Sequence, residues 1–303
     1  MNSIKKLAPL FVIIGASLWG IDGIVLRPSL FTLPVTLVVF VESLIVTVLL
    51  TPLFIKKLPE FKALDRNIWL VIAGVAIFGG AIGTMAITRA LFYVNYVNLS
   101  IVVLIQKLQP VFAIIFALII LKEKPPKAFY YWAALAILGA YFMTFGTDLP
   151  NLGTGDKTAI AALFALVAAL SFAASTVLSK KALIHIDYRM GTYLRFTITA
   201  AIMFLVVVFL GDISTANQIT NHQMLIFFII AFTSGGTAIF LYYYGLKEIS
   251  ASVATICELA FPLTAVCLEY FLRGNFLNWS QWFGVVLLIF SITKVTQVNG
   301  KSG

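Results

Sequence analysis

The side chains of this sequence that could do chemistry are a few ionisable and amide groups set inside long apolar stretches. Between Asn98 and Lys124, Gln106, Lys107 and Gln109 interrupt a run composed mostly of Ile, Val, Leu, Phe and Ala. A charged side chain at the centre of a bilayer costs roughly 2.5 to 3.5 kcal/mol on insertion scales, so such a group faces a partner or water. These residues therefore predict a polar path through a membrane.

Two prolines lie close to polar groups of this kind. Pro110 follows Gln106 by four residues, and because it has no N–H it leaves the Gln106 carbonyl without its helical partner. Pro262 stands in the same relation to Glu258. We therefore predict helix breaks at Pro110 and Pro262, with Glu258 facing the cavity between them.

Two carboxylates, Asp22 and Glu42, occupy other apolar stretches at a depth similar to that of Lys107. An ion pair of Lys107 with either carboxylate would spare both groups the cost of standing alone in lipid. Such a pair fixes the register of its helices, or its members bind a polar substrate or exchange a proton with it. The sequence leaves both alternatives open.

Two further side chains have both a structural and a functional interpretation. Arg195 lies near the end of its stretch, where it either reaches the membrane surface or faces a cavity. Trp19, close to Asp22, belongs either to an interfacial belt of aromatic residues, as we expect for residues among Tyr242, Tyr243 and Tyr244, or to the cavity. The candidate substrate-binding residues are Trp19, Asp22, Glu42, Gln106, Lys107, Gln109, Arg195 and Glu258.

The elements that position these groups must be membrane-spanning helices. Apolar residues make up 61% of the chain and charged residues 11%, and the mean hydropathy is +1.02, far from the composition of ordinary soluble domains. A helix of about 20 apolar residues crosses a bilayer. The sequence therefore predicts an all-α polytopic membrane protein. Its ten predicted spans are Ala8–Leu26, Leu33–Ile55, Ile68–Ala90, Asn98–Leu121, Ala128–Phe145, Thr158–Ser179, Met190–Leu210, Gln223–Tyr244, Ser250–Leu272 and Trp279–Val298.

The basic residues predict the orientation of the chain rather than a nucleic-acid partner. The net charge is +9, but the lysines and arginines lie in short loops between apolar spans. Fifteen of them fall on the side that holds both termini and four, including Arg27, on the other side. Because cytoplasmic loops carry an excess of Lys and Arg, we expect both termini in the cytoplasm and the protein in a bacterial inner or plasma membrane.

The second half of the chain repeats the pattern of the first. A shift of 153 residues places Leu18–Arg27 on Ser171–Lys180, and a shift of 152 places Pro110 on Pro262 and Gln106 on Glu258. Five spans per repeat is an odd number, so the two halves must be inverted relative to each other, as in many secondary transporters. The predicted division is residues 1–146, a linker at 147–157 and residues 158–303.

Three short motifs within this ten-helix duplication resemble a known family. Leu18–Gly20, Leu108–Phe112 and Leu121–Glu123 are similar to segments of the drug/metabolite transporter superfamily, EamA type. The resemblance implies a substrate cavity lined by the first four helices of each half, with the fifth and tenth helices at the periphery. The family often has a carboxylate before the proline of the fourth helix, where this chain has Gln109.

Together these features predict a secondary transporter that works by alternating access. The expected substrate is a small polar metabolite such as an amino acid or a related compound, coupled to protons or another ion, with export as the direction that the resemblance implies. We expect no cofactor, and a monomer or a homodimer in the bilayer. A channel, a membrane-embedded sensor and an intramembrane enzyme remain as alternatives.

Several chemistries have no support in the sequence. There is no Walker A motif for ATP, and the two histidines, His185 and His222, lie apart in loops, which does not suggest a metal site. An intramembrane enzyme would need a nucleophile and a base at one depth. Ser100 and Ser175 are the candidate nucleophiles, and neither has a histidine near it in the sequence. We therefore expect a protein that is not an enzyme.

Overall fold

The computed structural model describes residues 3–55, 60–61, 64–93, 100–149, 158–274 and 276–300. These residues form helices and connecting turns, and ten helical units are long and apolar enough to cross a membrane, which confirms the predicted all-α fold with ten spans. Most of the predicted linker, residues 150–157, lies outside the described part. The helices are α1 Ser3–Ile21, α2 Val35–Phe54, α3a Arg66–Val75, α3b Gly83–Tyr93, α4a Ser100–Gln106, α4b Gln109–Ile120, α5 Lys127–Phe145, α6 Thr158–Leu183, α7 Tyr188–Leu210, α8a Asn221–Ile230, α8b Gly236–Glu248, α9a Ala251–Cys257, α9b Ala260–Arg273 and α10 Trp279–Gly300.

The fourth and ninth spans are each interrupted by a two-residue turn. The first turn holds Lys107 and Leu108, and the second holds Glu258 and Leu259. Pro110 is the second residue of α4b, where the first turn of a helix needs no N–H donor. The two breaks are related by 151 residues, so the structure matches Lys107, and not Gln106, with Glu258. The shift of 152 in the sequence arose because the two prolines were aligned. Pro110 is the second residue of α4b and Pro262 is the third residue of α9b, so aligning the prolines displaces the two breaks by one residue.

The third and eighth spans carry π-helical segments at matching places. One segment, Ala76–Ile82, joins α3a to α3b, and the other, Ala231–Gly235, joins α8a to α8b. A π-helical segment adds a residue to a helical turn and is frequent at functional sites. In the third span this segment contains Gly79 and Gly80, whose backbone packs directly against α6 and α7.

Replacing Gly80 with Ala is expected to lower the stability of the protein. A Cβ atom at this position would overlap the side chain of Thr199, so the two helices would have to move apart. Overpacking of this kind costs about 1 to 3 kcal/mol. The measurement is the apparent melting temperature of the purified variant in detergent. Gly23→Ala is the matched control, because its added Cβ would meet only the Phe261 ring, at 4.0 Å; equal melting temperatures for the two variants would contradict the expectation.

The helices that surround the centre come from both halves. Helix α1 packs against α8b and α9b, α2 packs against α7, and α4b packs against α6 and α9a. Helices α5 and α10 pack mainly against each other, with the backbone of Gly139 against Leu288 and that of Gly284 against Met143. The two halves therefore interlock through their first four spans.

A carboxylate ties the end of the fourth span to the beginning of the ninth. Glu123, just after α4b, accepts hydrogen bonds from the backbone N–H of Ala251 at 2.7 Å and from the hydroxyl of Ser252 at 2.6 Å. A negative charge at the N-terminus of a helix is stabilised by the unpaired N–H groups there. Glu123 thus connects the two broken spans at one end of the molecule.

Candidate functional site

The centre of the molecule is organised around the carboxylate of Glu258. The Tyr242 hydroxyl donates to its Oε1 at 2.6 Å, and the Thr176 hydroxyl donates to the same oxygen at 3.2 Å. The Gln109 amide donates to Oε2 at 2.9 Å. One carboxylate therefore joins the fourth span to the sixth, eighth and ninth spans. We call Gln109, Thr176, Tyr242 and Glu258 the central network.

The two helix breaks explain why these side chains meet. Gln109 is the eighth residue of a span of 19 residues, and Glu258 is the eighth residue of a span of 22 that runs in the opposite direction. Both side chains consequently lie near the middle of the bilayer, where transporters with inverted repeats bind their substrates between broken helices. The carboxylate is held by three donors, which offsets the cost of removing its charge from water.

A second layer of polar contacts lies beside the central network. Arg195 donates to the Tyr243 hydroxyl at 3.1 Å and lies over the Tyr243 ring at 5.9 Å from its centroid. The same hydroxyl is 2.9 Å from the Ser179 hydroxyl. Arg195 therefore points into the bundle rather than to the membrane surface. Tyr242 and Tyr243 are only 3% and 2% exposed, so our prediction that they belong to an interfacial belt was wrong.

The remaining sequence candidates near the centre have other partners. The Trp19 indole N–H donates to the backbone carbonyl of Ser234 at 3.0 Å, and its ring lies 5.3 Å from that of Tyr242. The Gln106 amide donates to the backbone carbonyl of Ala165 at 2.8 Å. Trp19 thus borders the central network, whereas Gln106 fastens α4a to α6.

Lys107 does not form the ion pair that its depth suggested. It is 5% exposed, and within the described residues its ammonium group has no carboxylate within ion-pair distance. Asp22 and Glu42 are paired instead with Arg27. The expected pairing of Lys107 with either carboxylate was therefore wrong, because equal depth does not place two side chains on facing sides of their helices.

Arg27, Asp22 and Glu42 form a separate cluster at the junction of α1 and α2, which we call the outer cluster. Arg27 binds Asp22 through Nε at 3.1 Å and Nη2 at 2.6 Å, and its Nη2 lies 3.3 Å from Oε1 of Glu42. The sequence assigned Arg27 to a loop. In the structure a π-helical turn at Asp22–Leu26 and a 3₁₀ turn at Arg27–Leu30 extend α1 past it. Its position five residues after a buried aspartate was the signal that could have identified it.

Sequence comparison places this architecture among known proteins. The sequence profile of the EamA-like transporter family matches residues 6–145 and 159–297, one match for each half. The chain belongs to the EamA-like transporter family. The resemblance to the drug/metabolite transporters is thereby confirmed, and this EamA-like protein is a membrane transporter rather than an enzyme.

Relatives and a solved structure extend over the whole of this EamA-like chain. It is 43% identical over 299 residues to the riboflavin transporter ImpX of Fusobacterium nucleatum, which covers 98% of this chain and 99% of the relative. It is 25% identical over 285 residues to an uncharacterized transporter of Buchnera aphidicola, with 93% and 90% of the two chains covered. A crystal structure with 14% identity covers 99% of both chains with a TM-score of 0.77, so it has the same fold.

Proposed function

We propose that this protein is a secondary transporter of riboflavin, or of a flavin with the same ring system, and that it works by alternating access. The observation that carries the proposal is the 43% identity to a riboflavin transporter over 98% of the chain. The chemistry of the central network supports it independently. That network offers both aromatic surface and hydrogen-bonding groups at the middle of the membrane.

Riboflavin has a flat heteroaromatic ring with an imide edge, which presents a carbonyl, an N–H and a second carbonyl, and a chain of hydroxyl groups. Trp19 and Tyr242 provide aromatic faces against which such a ring stacks. The Glu258 carboxylate is an acceptor for the imide N–H, and the Gln109 amide is a donor for an adjacent carbonyl. In the present conformation these two groups bond to each other at 2.9 Å, so the substrate would replace that bond with two of its own.

Alternating access follows from the way the two halves share this site. Gln109 comes from the first half and Glu258 from the second, so a movement between the halves opens or closes the site. Glu123 holds α4b and α9a together at one end, and the outer cluster lies on α1 and α2. Proteins with inverted repeats expose a central site to one side at a time by rocking one set of helices against the other.

Our expectations of an amino-acid substrate, of export and of cytoplasmic termini stay predictions, as do the monomer or homodimer and the domain bounds. The central network favours a flavin over an amino acid. An amino acid carries an ammonium and a carboxylate group, whereas the four side chains of the network offer one carboxylate, one amide and two hydroxyls. The carboxylate of an amino acid would find no cation among these four side chains, whereas a neutral heterocycle brings no charge that needs one.

The test is counterflow in liposomes that contain the purified protein. Liposomes loaded with unlabelled riboflavin are diluted into a trace of labelled riboflavin, and we expect a transient, saturable accumulation of label. Unlabelled flavin should suppress it, and a mixture of amino acids should not. Liposomes without protein are the control. Absence of counterflow, or competition by amino acids instead of flavins, would overturn the proposed substrate, and label entry without counterflow would indicate a channel.

A further inference from the structure

The outer cluster contains more acid than base. Asp22 and Glu42 share the single guanidinium of Arg27, and the side chains of the two acids are only 7% and 13% exposed. One oxygen of each carboxylate, Oδ1 of Asp22 and Oε1 of Glu42, is buried without a hydrogen-bond partner. A buried acceptor that has no donor costs about 1 to 3 kcal/mol, so the cluster is incomplete as it stands.

The hydrogen bonds from Arg27 to the two acids are unequal in number and length. Arg27 donates two hydrogen bonds to Asp22, the shorter at 2.6 Å, but only one long bond of 3.4 Å to Oε2 of Glu42. The guanidinium is thus held more closely by Asp22 than by Glu42. Glu42 is the acid with the longer and weaker contacts to the guanidinium, at 3.3 and 3.4 Å.

Among the residues that the structure describes, no second cation pairs with Glu42. Its electrostatic partners among the described residues are Arg27 and Asp22. Charged or titratable groups also lie on the elements around the cluster, among them Arg89, Arg195, Asp212, His222, Glu258 and Glu269. Of the basic members, Arg89 and His222 are exposed, and Arg195 bonds to Tyr243. Asp212 accepts a hydrogen bond from Thr36.

We propose that the outer cluster is the site of the coupling proton, with Glu42 as the group that binds it. The inference rests on the proposed transport function and gives it a driving force. A proton moves from water to Oε1 of Glu42, which becomes a neutral acid and a hydrogen-bond donor. Arg27 then pairs with Asp22 alone, and release of the proton to water restores the shared arrangement.

A proton fits this cluster better than a metal ion. The Arg27 guanidinium stands between the two carboxylates and would repel a metal cation at the same place. Metal sites draw on several ligands, and the described residues contain no group of three acidic, His or Cys side chains that could hold a metal. A cavity of about 10 Å³ lies beside Arg27 and is bounded by Phe31 and Thr88, which is room for about one water molecule next to the guanidinium.

The cluster is connected to the central network through α1. Trp19 lies three residues before Asp22, less than one helical turn, and its ring packs against Tyr242. The π-helical turn begins at Asp22 itself. A change in the pairing of Arg27 would therefore act on the part of α1 that borders the substrate site.

The experiment compares the wild-type protein with Glu42→Gln in liposomes that hold the protein, riboflavin and an imposed pH gradient. The wild type should concentrate riboflavin in response to the gradient, and a protonophore should abolish this. Glu42→Gln should equilibrate riboflavin without concentrating it, and its counterflow should no longer vary with pH. Glu60→Gln, at an exposed glutamate, is the matched control and should concentrate riboflavin as the wild type does.

The possible outcomes distinguish a failure of the proposed proton site from a failure of the proposed substrate. Counterflow by the wild type without any response to the gradient, or gradient-driven accumulation by Glu42→Gln, would overturn the proton site and leave riboflavin as the substrate. If the wild type carries no riboflavin, the substrate is wrong, and infrared spectra of the purified proteins at a series of pH values then test the site. A carboxyl band that titrates in the wild type and is missing from Glu42→Gln supports the site, and identical spectra refute it.

Discussion

Glu258→Gln is expected to lower the rate of riboflavin counterflow by about 10- to 100-fold. The substitution keeps the shape of the side chain, and its amide oxygen still accepts from Tyr242 and Thr176. Its NH₂ group then faces the NH₂ group of Gln109, so the hydrogen bond between positions 109 and 258 is lost. A hydrogen bond to a charged group contributes about 1.5 to 3 kcal/mol, and each 1.4 kcal/mol is about a factor of ten. The same carboxylate is the acceptor that we assign to the substrate.

A double variant tests whether the hydrogen bond between Gln109 and Glu258 or the position of the charge matters. The double variant Gln109→Glu, Glu258→Gln restores a donor opposite an acceptor but moves the carboxylate from the ninth span to the fourth. We expect it to recover thermal stability without recovering counterflow. Glu60→Gln removes an exposed carboxylate and should leave both properties unchanged. Counterflow by Glu258→Gln at the wild-type rate would exclude Glu258 from the site.

Lys107→Met is expected to abolish transport while the folded protein becomes as stable as the wild type or more stable. The side chain is buried at a helix break and has no ion-pair partner among the described residues, so its charge is a cost in the folded state. Replacing it with an apolar chain of similar length removes a cost of roughly 2.5 to 3.5 kcal/mol on insertion scales. Such a cost is retained in proteins where function requires it.

The measurements for Lys107→Met are counterflow and the apparent melting temperature of the same preparation. Lys127→Met, at an exposed lysine at the start of α5, is the matched control and should transport normally. A stable variant that transports at the wild-type rate would remove Lys107 from the mechanism. A clear loss of melting temperature would instead indicate that Lys107 stabilises the fold.

The sequence predicted the fold well, because the signals for it are local. A helix needs about 20 apolar residues to cross the bilayer, and each of the ten spans has them. The breaks of the fourth and ninth spans could also be predicted, since a proline inside a helix removes a specific backbone hydrogen bond. The π-helical segments could not, because the glycines that occupy them are equally compatible with a continuous α-helix.

The partners of the buried charges could not be predicted in the same way. Composition ends the first span before Arg27, whereas the backbone continues through it to Leu30, so a residue counted as part of a loop became the partner of Asp22. Tyr242 looked interfacial because it begins a run of three tyrosines. The eighth span has 28 residues, which places Tyr242 well inside it. Depth along a helix can be read from a sequence, but direction around its axis depends on packing.

The matching of Lys107 with Glu258 has an electrical consequence. The fourth and ninth spans run in opposite directions and carry opposite charges at corresponding places. When inverted elements exchange roles, one charge would travel towards one face of the membrane as the other travels towards the opposite face, so the two displacements add as current instead of cancelling. Each elementary charge that crosses the whole field is worth about 2.3 kcal/mol per 100 mV. A voltage step across a membrane containing this protein should therefore evoke a transient displacement current, and reversing the sign at one of the two positions should diminish it.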